Sequence, residues 1–314
     1  MAIIYVVVGL VLLERGADWL VAGSSRLAMK LGLSAFVIGA TVVAFGTSAP
    51  ELVTSIMGGS TIAVGNVVGS NLANIGLILG IAALFAPTFL RRGIIAFEIP
   101  VMVATGPIAY AIMYDGVITR LEGAGLVAGL VIFTLMTIRR GKLSVEDAAL
   151  LAGQLEQHET ARGGGVLWYL TLVVAGLVGL VAGAEALVRG ARFLAEAAGV
   201  GERIIALTLV AVGTSLPELA TTVVAARKGE GDIALGNVLG SNIFNIFSVL
   251  GITALVGPVV VPEGTMGLDL RAMIAIQLFV VPLMFIGRRL TRFDGLLLLA
   301  AYAGYLAVLF LQMP

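Results

Sequence analysis

Two blocks of this chain repeat one another, and that repetition restricts the folds open to it more than any other feature. Gly46-Thr-Ser-Ala-Pro-Glu-Leu-Val-Thr-Ser55 returns as Gly213-Thr-Ser-Leu-Pro-Glu-Leu-Ala-Thr-Thr222, with seven of ten positions identical. Gly65-Asn-Val-Val-Gly-Ser-Asn-Leu-Ala-Asn-Ile75 returns as Gly236-Asn-Val-Leu-Gly-Ser-Asn-Ile-Phe-Asn-Ile246, with eight of eleven. Leu-Gly-Ile follows each second block, at Leu79 and Leu250, and upstream of each first block Gly16-Ala-Asp18 is matched by Gly183-Ala-Glu185. Chance matching among apolar residues does not produce paired Pro-Glu and Gly-Ser-Asn blocks in the same order.

The medium around this duplicated unit follows from composition. Of 314 residues, 59% are hydrophobic and 12% charged, too little polar surface for a soluble domain. Apolar runs of about 20 residues, the length that crosses a bilayer as helix, recur along the chain. The 41 glycines suit close packing of membrane helices. The fold class is therefore all-α integral membrane, with the lipid bilayer as partner and a multi-pass cell-membrane location. Zero formal net charge argues against nucleic acid, and the absence of cysteine excludes disulfides, thiolate metal sites and cysteine nucleophiles. The opening run Ile3 to Leu13 lacks a basic flank and continues into Glu14, Arg15 and Asp18, which reads as a retained first helix.

Turn and charge signals divide the chain into ten transmembrane helices. They run roughly over 2–25, 33–57, 60–85, 93–113, 117–138, 166–195, 203–226, 231–256, 268–287 and 293–312. Residues 1–141 form a first five-helix repeat, 142–165 a cytoplasmic linker and 166–314 a second five-helix repeat, in one membrane domain overall. The linker carries Glu146, Asp147, Glu156, Glu159, Arg162 and a solvated His158, with a surface helix expected at Val145 to Leu155. Connections after odd-numbered spans hold thirteen Lys and Arg against five on the other side, so the N-terminus and C-terminus both fall outside. Five is odd, so the two copies cross the membrane in opposite senses. Inverted repeats of this kind belong to secondary transporters, whose sites lie near the midplane where the repeats meet.

The repeated residues suit cations. Pro50 and Pro217 stand mid-span, where a missing N–H leaves the carbonyls of Gly46 and Gly213 without helical partners. Carbonyls freed at membrane depth need something to coordinate, which a cation provides. The next residue in each case is a carboxylate, Glu51 or Glu218, with Thr47 and Ser48, or Thr214 and Ser215, one turn before it on the same face. On the following span Asn66, Ser70 and Asn74 form one polar stripe at four-residue spacing, repeated by Asn237, Ser241 and Asn245. Carboxylate, hydroxyl, amide and carbonyl oxygens without nitrogen or sulfur suit Ca2+ or Na+, and not zinc or copper. An intramembrane carboxylate marks function by default, and apart from the boundary residue Arg203 no basic residue lies in these four spans to neutralise it. Interhelical hydrogen bonding competes as the role of the stripes, and it is the favoured one for Asn66, Asn71, Asn237 and Asn242. Of the remaining embedded charges, Asp18 and Glu185 have Arg15 and Arg189 near enough for local pairs. Glu98, beside Pro100 and matched with Gln277, reads as a helix contact.

These motifs resemble the two alpha-repeats of the Ca2+/cation antiporter superfamily, in its sodium/calcium exchanger branch and its prokaryotic-type form without a regulatory domain. The resemblance covers the whole chain in span count and order and is specific at Gly-Thr-Ser-x-Pro-Glu and Gly-Asn-x-x-Gly-Ser-Asn in both halves. The Ca2+/H+ exchanger branch is less similar, since it usually carries Asn-Ala where Thr47-Ser48 and Thr214-Ser215 stand. The resemblance implies a calcium site made by Glu51 and Glu218 with the Thr47 and Thr214 carbonyls. It implies one sodium held by Ala44, Ser48 and Ser70, another by Ala211, Ser215 and Ser241, and Asn74 and Asn245 facing the middle. Ca2+ and Na+ are then transported ions, exchanged by alternating access, and no cofactor is called for. Relatives often carry aspartate where Asn245 stands, which leaves H+ or K+ participation open. A cation channel has less support, because nothing here resembles a selectivity-filter loop. An intramembrane enzyme has less still, because no span holds a nucleophile with a base beyond the two glutamates.

Overall fold

The computed structural model describes residues 2–90, 92–142, 165–198, 211–262 and 264–311. The expected surface helix, His158 and most of the linker lie outside the described residues, as does the first part of the seventh span. Eight helices among the described residues are long and apolar enough to cross a membrane. They are α2 (Ala35–Ser60), α3 (Ile62–Phe85), α4 (Gly93–Met113), α5 (Arg120–Arg140), α6 (Val166–Ala197), α8 (Gly231–Val256), α9 (Leu268–Arg288) and α10 (Arg292–Leu309). Two more helices accompany them. These are α1 (Ala2–Lys30), whose apolar run is interrupted by Glu14, Arg15 and Asp18, and α7 (Leu216–Arg227), which follows one helical turn at Ala211–Thr214. The protein is thus an all-helical membrane protein.

Burial sorts the helices into an interior and a rim. In α8 89% of the apolar stretch is buried, in α3 78% and in α2 67%, against 22% in α5 and 11% in α10. The helices that carry the repeated motifs are therefore the core, and the rim keeps large apolar side chains exposed for lipid.

Close backbone approach sets the packing of α1 on α6. A Cβ placed on Gly16 would lie 2.7 Å from Leu180 N, and one on Gly176 would lie 2.6 Å from Leu20 N. Nothing larger than glycine fits there without separating the helices. Gly9 meets Leu187 and Gly23 meets Tyr169, so α1 and α6, equivalent members of the two halves, run antiparallel.

Short pairings tie the helix connections together at each end of the bundle. The strands β1 (Thr88–Phe89), β2 (Val117–Ile118), β3 (Val259–Val260) and β4 (Arg289–Leu290) form two antiparallel pairs. In one, Thr88 is opposite Leu290 and Phe89 opposite Arg289; in the other, Val117 is opposite Val260 and Ile118 opposite Val259. A single bridge joins Leu33 to Lys142. Each pairing joins connections of like parity: third with ninth, fourth with eighth, first with fifth.

A further repeat sits at the starts of α5 and α10, as Thr119-Arg-Leu-Glu122 and Thr291-Arg-Phe-Asp294. Thr119 and Glu122 form a reciprocal cap, with Glu122 Oε2 2.8 Å from Thr119 N. Asp294 Oδ2 likewise accepts from Thr291 N at 2.7 Å. The intervening arginines reach across the halves to the last carbonyls of other helices: Arg120 Nη2 donates to Val256 O at 3.3 Å and Arg292 Nε to Leu84 O at 3.1 Å.

One charged contact follows the sequence-based pairing and one departs from it. Glu185 does pair with Arg189, at 2.7 Å on the exposed face of α6. Asp18 pairs instead with Lys228, at 2.8 Å, because the end of α1 packs beside the connection from α7 to α8. Ser25 Oγ donates to Glu230 in the same connection at 2.7 Å. Gln277 is a helix contact through Thr105, to which its Nε2 donates at 3.2 Å, while Glu98 is buried in the second turn of α4.

Candidate ion site

Both Pro-Glu motifs break their helices in the same way. Ser48 has φ −84° and ψ 3°, and Ser215 has φ −86° and ψ 2°, each a one-residue interruption. The helix restarts at Ala49 or Leu216 with proline in its first turn, where a missing N–H costs no intrahelical bond. Glu51 and Glu218 stand in that same first turn, where the helix N-terminus favours negative charge. Ala44 to Thr47 form the turn before the first break, and Ala211 to Thr214 the turn before the second.

The motifs face each other across the two halves. Ser48 Oγ donates to Glu218 Oε1 at 3.1 Å, and Ser215 Oγ donates to Ser70 Oγ at 3.3 Å. Glu51, Glu218, Thr47, Ser48, Ser215, Ser70, Ser241, Asn74, Asn245 and Ala44 are all buried, and Thr214 is half-buried. Three of the four carboxylate oxygens, Glu51 Oε1, Glu51 Oε2 and Glu218 Oε2, accept no hydrogen bond. The same holds for Ser241 Oγ, Asn245 Oδ1 and both polar atoms of the Asn74 side chain. Buried polar atoms almost always have partners, so this concentration of unused oxygens marks a place built for something else. The donors are hard oxygens, which fit Ca2+ and Na+ as substrates.

Asn66 and Asn237 are braces, as the favoured alternative from sequence holds. Asn237 Nδ2 donates to Glu218 O at 3.4 Å and Thr222 Oγ1 at 2.9 Å, while Asn237 Oδ1 accepts from Thr47 Oγ1 at 3.1 Å. Asn66 Nδ2 donates to Glu51 O and Ser55 Oγ, both at 3.2 Å, while Asn66 Oδ1 accepts from Thr214 Oγ1 at 3.2 Å. Each brace ties the backbone of one glutamate to the threonine of the other half. Ser55 and Thr222 are the members that sequence reasoning missed, although both end the first repeated block.

Asn74 and Asn245 each open a π-helical stretch, Asn74–Leu79 and Asn245–Leu250. A π turn inserts a residue and re-aims the side chains around it, and such turns recur at functional sites. A third, Gly39–Val43, lies just before Ala44. Beside Ser48, a small crevice is lined by Phe45, Leu52, Phe244 and Ser248, with the two rings 5.8 Å apart.

Comparison with known proteins agrees with this geometry. The family model for sodium/calcium exchanger protein matches residues 1–139 and 168–311, so the chain belongs to that family, a family of membrane exchangers. Putative antiporter CaxA of Alkalimonas amylolytica is 39% identical, over 98% of each chain. Sodium/calcium exchanger MaX1 of Methanosarcina acetivorans is 36% identical, over 96% of each. A solved structure of the sodium-calcium exchanger NCX_Mj superposes with a TM-score of 0.84 at 34% identity, over 98% of each chain.

Proposed function

We propose that this chain is a secondary active antiporter that exchanges Na+ for Ca2+ by alternating access between two inverted five-helix repeats. The observation that carries the proposal is the pair of buried glutamates, Glu51 and Glu218, with three carboxylate oxygens free of hydrogen bonds among buried hydroxyl and amide side chains. Two negative charges match one divalent cation, and equally a set of monovalent ones, so the same groups serve both substrates in turn. Glu51 and Glu218, with the Thr47 and Thr214 carbonyls, take Ca2+. Ala44, Ser48 and Ser70 take one Na+, Ala211, Ser215 and Ser241 another, and Asn74 and Asn245 contribute amide oxygens at the centre.

The ten-span inverted arrangement is supported by the antiparallel course of α1 and α6 and by the like-parity pairing of connections at each end. The excess of thirteen basic residues over five supports an external N-terminus and C-terminus. Residues 1–141 and 166–314 are the two repeats and 142–165 the cytoplasmic linker between them. The similarity to MaX1 and NCX_Mj favours sodium as the coupling ion. The second reading is H+ alone, or K+ together with Na+, as the coupling ion, a point that Asn245 leaves open by giving the centre two carboxylates.

Glu51→Gln and Glu218→Gln, reconstituted separately, test the site. Each removes half the charge facing a divalent ion where water compensates poorly, so each abolishes Ca2+ uptake while insertion and monodispersity persist. Near-normal uptake by either variant removes the proposed site.

A further inference from the structure

Four buried asparagines, Asn71 and Asn74 of α3 and Asn242 and Asn245 of α8, are equivalent in pairs by sequence but bonded unequally. Asn245 Nδ2 donates to Asn71 Oδ1 at 3.0 Å. Asn71 directs its own Nδ2 to Asn242 O at 3.3 Å and Met273 Sδ at 3.7 Å, which fixes the side of its amide that faces Asn245. With its nitrogen so engaged, Asn245 keeps its oxygen buried and unbonded, the orientation a cation requires. The repeat relates Asn71 to Asn242 and Asn245 to Asn74, so the matching bond runs from Asn74 Nδ2 to Asn242 Oδ1. That bond is absent, and these two atoms are both buried without partners. Asn242 turns its Nδ2 to Val238 O at 2.8 Å, within its own helix. A donor and an acceptor are thus both buried and unused, where the equivalent pair in the other half is bonded.

We propose that Asn71 and Asn242 are positioning residues, each orienting the central amide of the other repeat, and that their two bonds are made in turn. The proposal rests on the antiporter reading above. In a transporter of two inverted repeats, exchanging the conformations of the halves produces the state open to the opposite face. The bond held by Asn71 and Asn245 here is then held by Asn242 and Asn74 there. One amide oxygen is aimed at the ions in each state, and the relay hands that role across as the protein turns over.

The test is a double-mutant cycle on Na+-driven Ca2+ transport in oriented proteoliposomes, with the Ca2+ KM measured from each face. Asn71→Ala raises the KM about tenfold from one face, the scale of one lost hydrogen bond, and changes the maximal rate far less. Asn242→Ala does the same from the opposite face. In the Asn245→Ala background, Asn71→Ala adds nothing further, because nothing remains to be oriented. Additive effects, or both variants acting from the same face, overturn the proposal and leave the antiporter intact. Silent Asn245→Ala and Asn74→Ala variants overturn it too, and they also remove both amides from the proposed ion site. If Asn71→Ala does not insert as a monodisperse protein, Asn71→Ser, which keeps an acceptor hydroxyl, carries the same cycle with a smaller shift expected.

Discussion

Truncating the two braces, Asn237→Ala and Asn66→Ala, makes an unequal pair of perturbations at equivalent positions. Asn237 is fully buried and makes three hydrogen bonds, to Thr47, Thr222 and the Glu218 carbonyl. At about 1 kcal/mol net apiece, their loss costs about 3 kcal/mol, because the stranded partners are sealed from water. Asn66 also makes three bonds, to Thr214, Ser55 and the Glu51 carbonyl, but it is half-buried. Removing the partly open Asn66 side chain lets water in to its buried partners Ser55 and Glu51 and its half-buried partner Thr214, so about half that loss is expected. The measurement is the unfolding free energy of each purified variant by detergent titration, alongside Na+-dependent Ca2+ uptake. Asn237→Ala should be the less stable and the weaker transporter of the two. Equal losses, or a larger loss at Asn66, would refute the account of the braces.

Other consequences follow from packing and topology. Gly176→Ala forces a methyl toward Leu20 N and Gly16 O and should destabilise the α1–α6 contact by about 1–3 kcal/mol, whereas Gly65→Ala, with nothing within 4 Å, should leave thermal unfolding unchanged. A neutral Gly176→Ala would show that the two helices are free to separate. Cysteines introduced as Asp115→Cys and Val260→Cys should react with an impermeant reagent from outside, and those introduced as Leu31→Cys and Arg289→Cys only from the cytoplasm. The reverse pattern would invert the proposed orientation.

Much of the architecture was legible because membrane helices write their length into composition and a duplicated unit writes its boundaries twice. The division near Gly59, where φ is +75° at the end of α2, coincides with the glycine pair that separates the expected spans. The Pro50 and Pro217 breaks were visible for the same reason: proline and the following carboxylate are local signals. The π turns at Asn74 and Asn245 were not, since an inserted residue leaves no pattern distinct from ordinary α-helix. Asp18 found Lys228, 210 residues away, where local spacing pointed to Arg15, and only tertiary packing decides between them. The two-residue strands carry too little sequence to announce themselves. The Thr-Arg-x-acid repeat at Thr119 and Thr291 was readable, and comparing the last span of each half would have found it.

The most direct measurement imposes one ion gradient at a time on proteoliposomes holding the purified protein and follows radioactive Ca2+. Vesicles loaded with Na+ should accumulate Ca2+ when external Na+ is removed, with the membrane potential clamped, and a proton gradient or a K+ gradient alone should do little. Accumulation that follows the proton gradient and ignores sodium would contradict the proposed exchange.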